Sequence, residues 1–251
     1  MSKIERYKET LRALHPADWE TFLKRESELP GKRANLELAA AAADLGDRGL
    51  FERLAARSSE DAPENSPEVF LVFCGVIGLG QAVARGDHSS IGRLRSFASD
   101  PRWRVREGVA MALQRVGLAD MPLLLDVAEN WLDGNLLELR AVAAGLCEPA
   151  LLKDSSYVLR VLRILDGITR TLAETTDRKT EAFRVLKQAL AYCWSVAVAA
   201  WPEGGKPFFE RWARADDPDV RWIIRENLKK KRLANLDPGW VEGILRQVSR
   251  P

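Results

Sequence analysis

Few residues in this chain carry side-chain chemistry of the kind an active site needs, and those few are scattered. The histidines are His15 and His88, and neither stands in an HExxH or comparable ligand spacing. His15 precedes Pro16 at an expected helix start and His88 follows Asp87 in a turn, positions that suit capping or surface roles. Cys74, Cys147 and Cys193 lie far apart in apolar stretches, with no CxxC pair and no histidine cluster to complete a metal site. They read as reduced core thiols of a cytoplasmic protein. The glycines in Cys74-Gly75-Val76-Ile77-Gly78-Leu79-Gly80 lack the order and the strand-turn-helix setting of a phosphate-binding loop. They fit a buried helix that another helix approaches closely. No catalytic residue, metal or cofactor is expected on these grounds.

Charge gives more to work with. The net charge is only +2, so no global field selects a polyanion or a membrane, and any electrostatic argument has to be local. Between Arg221 and Arg232 six basic residues (Arg221, Arg225, Lys229, Lys230, Lys231, Arg232) face Glu226 alone, a local excess of five positive charges. At 100° per residue, Arg221, Arg225, Lys229 and Arg232 fall within about 80° of one another on a helix, with Trp222 nearby. Arginines also concentrate from Arg85 to Arg106, including Arg102 and Arg106. If both stripes line one concave wall, Arg102, Arg106, Arg221, Trp222, Arg225, Lys229 and Arg232 form a groove. Such a groove suits phosphates, with Trp103, Trp212 and Trp222 to stack on bases. A solvated helix face with core tryptophans accounts for the same residues without a ligand.

The elements that must position these residues are helices. Apolar residues recur at helical spacing nearly throughout, and alternating β-branched runs are absent. Breaks are expected at Pro30-Gly31, Gly46-Asp47, 58–67, Gly86-Asp87, Asp100-Pro101, Gly117, Asp133-Gly134, Glu148-Pro149, Thr176-Asp177, Pro202 to Pro207, Asp217-Pro218 and Asp237-Pro238. Many are Asp or Ser followed by Pro, the pattern of an N-cap and first helical residue. The chain is read as a single domain over 1–251, with a possible minor break at 58–67. The start lacks the apolar stretch of a signal peptide, and the longest apolar runs, such as Val69 to Leu79, fall short of a bilayer span, so no membrane association is expected.

An internal repeat narrows the fold. Asp100-Pro101-Arg102-Trp103-Arg104-Val105-Arg106 leads into EGVAMALQRV, and Asp217-Pro218-Asp219-Val220-Arg221 leads into WIIRENLKKKRL. Val105, Val109, Ala112, Leu113 and Val116 share one face of the first segment. Val220, Ile224 and Leu228 hold the equivalent places in the second, and Leu139-Arg140 with Ala143 and Cys147 form a weaker third copy. These segments resemble the second helix of a HEAT repeat. The resemblance implies an all-α, right-handed α-α superhelix of about six to seven HEAT-like antiparallel helical pairs. It also implies a ladder of Asp–Arg bonds between repeats, drawn from Asp100, Arg106, Arg140, Asp217 and Arg221. Asn227 and Lys231 on the otherwise apolar face, followed by one further helix at Pro238 to Val248, suggest a polar cap on the stack.

Two functions follow as expectations. A non-catalytic scaffold would bind a protein or peptide partner along its concave face. The stretch WARADDPDVRWIIRENLKKKRL is also loosely similar to bacterial DNA alkylation-repair HEAT-like proteins, which implies a DNA-binding relative of alkylpurine glycosylases using a basic concave groove. Those enzymes need an acid in the cleft, and Asp133 beside Trp131 is the candidate here.

Overall fold

A computed structural model describes residues 1–249, and among them the only regular secondary structure is helix. Two compact units divide the chain at Ala119 and Asp120. The first holds α1 (Lys3–Ala13), α2 (Trp19–Arg25), α3 (Leu36–Leu45), α4 (Arg48–Ala55), α5 (Pro67–Ala84), α6 (Ile91–Phe97) and α7 (Trp103–Ala119). The second holds α8 (Met121–Asn130), α9 (Leu136–Leu146), α10 (Val158–Glu174), α11 (Glu181–Ala200), α12 (Pro202–Ala213), α13 (Pro218–Leu228), α14 (Lys231–Leu236) and α15 (Pro238–Val248). The polar stretch at 58–67 lies inside the first unit, a loop over 58–66 that ends where Pro67 opens α5.

Each unit is two layers of helix. In the first, α1, α3, α5 and α7 lie side by side in chain order, while α2, α4 and α6 pack against α5 or α7. In the second, α9, α11 and α13 form one row and α8, α10 and α12 the other. Short connections force this alternation, because a helix that buries one stripe must fold back on its predecessor to cover it. The faces read from the sequence are the buried ones: Val105, Val109, Ala112, Leu113 and Val116 in α7, and Val220, Ile224 and Leu228 in α13.

Local chemistry sets most boundaries. Ser66 caps α5 through Val69 N at 3.2 Å, and Asp237 caps α15 through Trp240 N at 3.0 Å, each with proline as the first helical residue. Two expected breaks differ, and at a third, Asp100-Pro101, the break stands but the expected cap does not. Gly117 lies inside α7, buried, and the helix runs on to Ala119 because Asp120 is the next capping residue, accepting from Leu123 N. Pro207 lies inside α12, where the carbonyl that loses its amide partner belongs to exposed Glu203. Pro101 precedes α7 by two residues, and Asp100 Oδ1 instead takes Arg102 N at 2.8 Å.

α5 reaches 18 residues and is apolar enough by length and composition to cross a membrane, contrary to the expectation from run length. Its apolarity has another cause, since it is walled by α3, α4 and α7 and nearly every residue from Val69 to Val83 is buried. The glycines make that contact possible. A β-carbon on Gly75 would lie 2.6 Å from Ala55 N of α4, and one on Gly80 would lie 2.5 Å from Ala112 Cα of α7.

The expected cap at Asn227 and Lys231 is corrected. Asn227 is fully buried between α13 and α11, where Oδ1 accepts from Ser195 N at 2.8 Å and Nδ2 donates to the carbonyls of Leu190 and Ile223 at 2.9 and 2.8 Å. Lys231 is exposed at the start of α14, beyond the end of α13, and two helices follow α13 rather than one. Asn227→Ala strips partners from one buried amide and two carbonyls, and we expect a loss of about 2–3 kcal/mol in urea unfolding. A loss below about 0.5 kcal/mol would mean water replaces the amide there.

Candidate functional site

The basic residues of α13 and its C-cap fall into a row at four-residue spacing: Arg221 half-buried, Arg225 and the capping Lys229 exposed. Beside it on α11 runs a second such row, Arg184, Gln188 and Tyr192, all exposed. Side-chain contacts fix the register between the two helices. Lys187 Nζ of α11 lies 4.6 Å from the Trp222 ring centroid and 3.0 Å from Asp219 Oδ1 of α13. Farther along, the Arg232 guanidinium sits 4.7 Å over the Tyr192 ring and donates to its hydroxyl at 2.8 Å. Arg232 belongs to α14, so the stripe continues across a helix break at Lys229-Lys230 that carries neither Gly nor Pro to announce it.

Neighbouring acids divide these cations into two groups. Arg221 pairs with Asp216 at 3.1 Å and donates to the Ala215 carbonyl, and Lys229 pairs with Glu226. The side chains of Arg184, Arg225, Lys230 and Lys231 carry no ion pair or hydrogen bond among the described residues. Asp217, the N-cap of α13, is ion-paired to Arg178 from the loop before α11 at 2.7 Å, and Asp219 takes Arg178 as well. Burial opposes ionisation of Asp217, but the Arg178 guanidinium and the amides of Val220 and Asp219 outweigh it and hold the carboxyl below its usual range.

The other half of the expected groove is not exposed. Arg102 and Arg106 are each 5% accessible and cannot serve as surface charges. Arg102 forks onto Asp100 at 2.9 and 2.7 Å and donates to the carbonyls of Arg57, Ser58 and Ala62. Arg106 donates to the carbonyls of Asp100 and Pro101, both at 2.8 Å. Arg140 is half-buried on α9, and Asp133 is exposed beside a buried Trp131.

A further cluster escaped the sequence reading. Asp166 of α10, 8% accessible, accepts from Trp212 Nε1 at 2.8 Å and pairs with Arg211 of α12 and with Arg170. Trp212 is thereby tied to a carboxylate. A lone acid on the apolar side of α10 was the available signal. Tyr192, Lys187 and Arg178 escaped as well, because their roles depend on which helix lies alongside.

The fold and site together define an all-helical protein built from paired helices packed on their neighbours, with a basic and aromatic surface on α11, α13 and α14. No family profile and no curated protein matches the sequence. Among solved structures the chain is similar to a designed armadillo repeat protein, YIII(Dq)4CqI, at 13% identity and a TM-score of 0.30, covering 84% of this chain and 99% of that one. A score that low carries no weight, and the fold class rests on the helix packing described above.

Proposed function

We propose that the chain is a non-catalytic interaction scaffold of HEAT-like helical pairs that binds an acidic protein or peptide segment along the exposed rows of α11 and α13. The observation that carries this reading is the combination of unpaired cations, Arg184 and Arg225, with the exposed Tyr192 and the half-buried Trp222 on adjoining helices. Rings supply apolar contact area and cations supply complementarity, the mixture that protein-binding surfaces favour. A continuous phosphate backbone fits less well, because Arg221 and Lys229 are already paired with acids, and the Asp216 that pairs with Arg221 is 98% exposed. Each repels a polyanion or withholds a counterion-releasing contact.

Fluorescence anisotropy with a labelled Glu-rich peptide and with labelled duplex DNA, each at low and moderate salt, tests the proposal. We expect the peptide to bind and the Arg184→Glu/Arg225→Glu variant to lose about tenfold or more in affinity. Unchanged peptide binding in that variant removes this face from the function. Tighter, steeply salt-dependent binding of DNA replaces the scaffold reading with the nucleic-acid one.

A further inference from the structure

Two of the chain's thiols meet inside the second unit. Cys147 is the C-cap of α9 and Cys193 lies midway along α11, and both are buried and reduced. The Ala143 carbonyl draws them to one point, accepting from Cys147 N at 3.1 Å and from the Cys193 thiol at 3.3 Å. The Cys147 thiol is hydrogen-bonded to Cys193 in turn, so the two sulfurs face each other where α9 packs on α11. Cys74 is buried in α5 of the other unit and serves as an internal reference.

With the helices closed, the pair is shielded. Burial pushes the Cys147 thiol well above its ordinary range, and the hydrogen bond with Cys193 adds to this. One nearby cation works the other way: the charge of the Arg232 guanidinium reaches Cys147 from α14. The same guanidinium sits over the ring of Tyr192, the residue before Cys193, and thereby ties α14 to this corner of α11. That attachment is slight. α14 has six residues, and Leu233 is the one buried among them. A helix so short has little stability of its own and opens at low free energy.

We propose that Cys147 and Cys193 are a redox-responsive dithiol, oxidised by a hydroperoxide to a disulfide that locks the end of α9 to the middle of α11, with α14 controlling access. With hydrogen peroxide, the Cys147 sulfur attacks one oxygen, the O–O bond breaks, and a sulfenic acid forms as the first water leaves. The Cys193 sulfur then attacks the sulfenic sulfur, the S–O bond breaks, and the second water leaves. The two thiol protons end in the two waters, and the two electrons that the sulfurs give up reduce the peroxide. The new bond closes a loop that contains all of α10, a constraint on the unfolded chain that stabilises the unit.

Peroxide treatment of the full chain, followed by denaturation, alkylation of the remaining thiols and peptide mass spectrometry, tests it. The expected product is a peptide pair linked through Cys147 and Cys193, with Cys74 alkylated, and dithiothreitol should reverse the link. The linked protein should unfold at a higher urea concentration than the reduced one. Leu233→Ala loosens α14, leaves Arg232 in place and should speed linkage about tenfold or more. Cys147→Ala and Cys193→Ala should each abolish the link, and the wild-type peptide map decides the matter even where one of them fails to fold. Three alkylated thiols after peroxide, Cys74 oxidised as fast as the pair, a lowered urea midpoint on linkage, or an unchanged rate in Leu233→Ala overturns the proposal.

Discussion

Gly80→Val is expected to cost the first unit about 3 kcal/mol or more and to move its urea midpoint well below that of the wild type. The cause is backbone, which cannot step aside. At Gly80 the first added carbon would already lie 2.5 Å from the Cα, Cβ and carbonyl oxygen of Ala112, so α5 and α7 must part. That parting exposes Ala112 and Leu113, which are buried, and spreads along the longest shared face in the unit. Gly75→Val meets Ala55 N at 2.6 Å and Phe51 O at 2.7 Å on α4 and should be comparably severe. Gly167→Ala is the control: nothing lies within 4 Å of the added carbon, and alanine should stabilise α10 by about 1 kcal/mol through helix propensity. Circular dichroism across a urea series reads all three. A Gly80→Val midpoint equal to the wild type would mean that α5 and α7 do not meet at this depth.

The glycine run shows what a sequence can disclose. Small residues at helical spacing inside an unbroken apolar stretch have one economical explanation, close approach of a neighbour, and that is what α4 and α7 supply. The faces of α7 and α13 were legible for the same reason, since helical period alone fixes which residues share a side. The row of Arg221, Arg225 and Lys229 follows from i, i+4 spacing, but its companions Arg184 and Tyr192 do not, because adjacency of α11 and α13 is a tertiary fact. The arginines around Asp100 misled most. Charge is visible in a sequence and burial of a charge is not. Whether an arginine reaches solvent or spends its five donors on carbonyls depends on a loop some forty residues away, as Arg102 and the carbonyls at Arg57, Ser58 and Ala62 illustrate. Asn227 misled likewise: a polar residue on an apolar face can be a surface cap or a buried bridge, and only the Ser195 amide and Leu190 carbonyl opposite decide between them.

Arg102→Met should be the most damaging single change to a charged residue, at about 3–5 kcal/mol. Methionine keeps the apolar stem and removes all five donor positions, so the effect isolates the guanidinium. Asp100, whose side chain is 10% accessible, would lose both of its contacts with the Arg102 guanidinium, and the carbonyls of Arg57, Ser58 and Ala62 would lose their shared donor. Arg102→Lys should recover little, because an ammonium cannot fork onto Asp100 and reach three carbonyls from one position. A double-mutant cycle separates the two costs. Asp100→Asn removes the orphaned charge but leaves the carbonyls unmet. The pair Asp100→Asn/Arg102→Met should therefore be less destabilised than the sum of the single variants by about 1–3 kcal/mol. Strict additivity would show that the carboxylate and the guanidinium do not depend on each other.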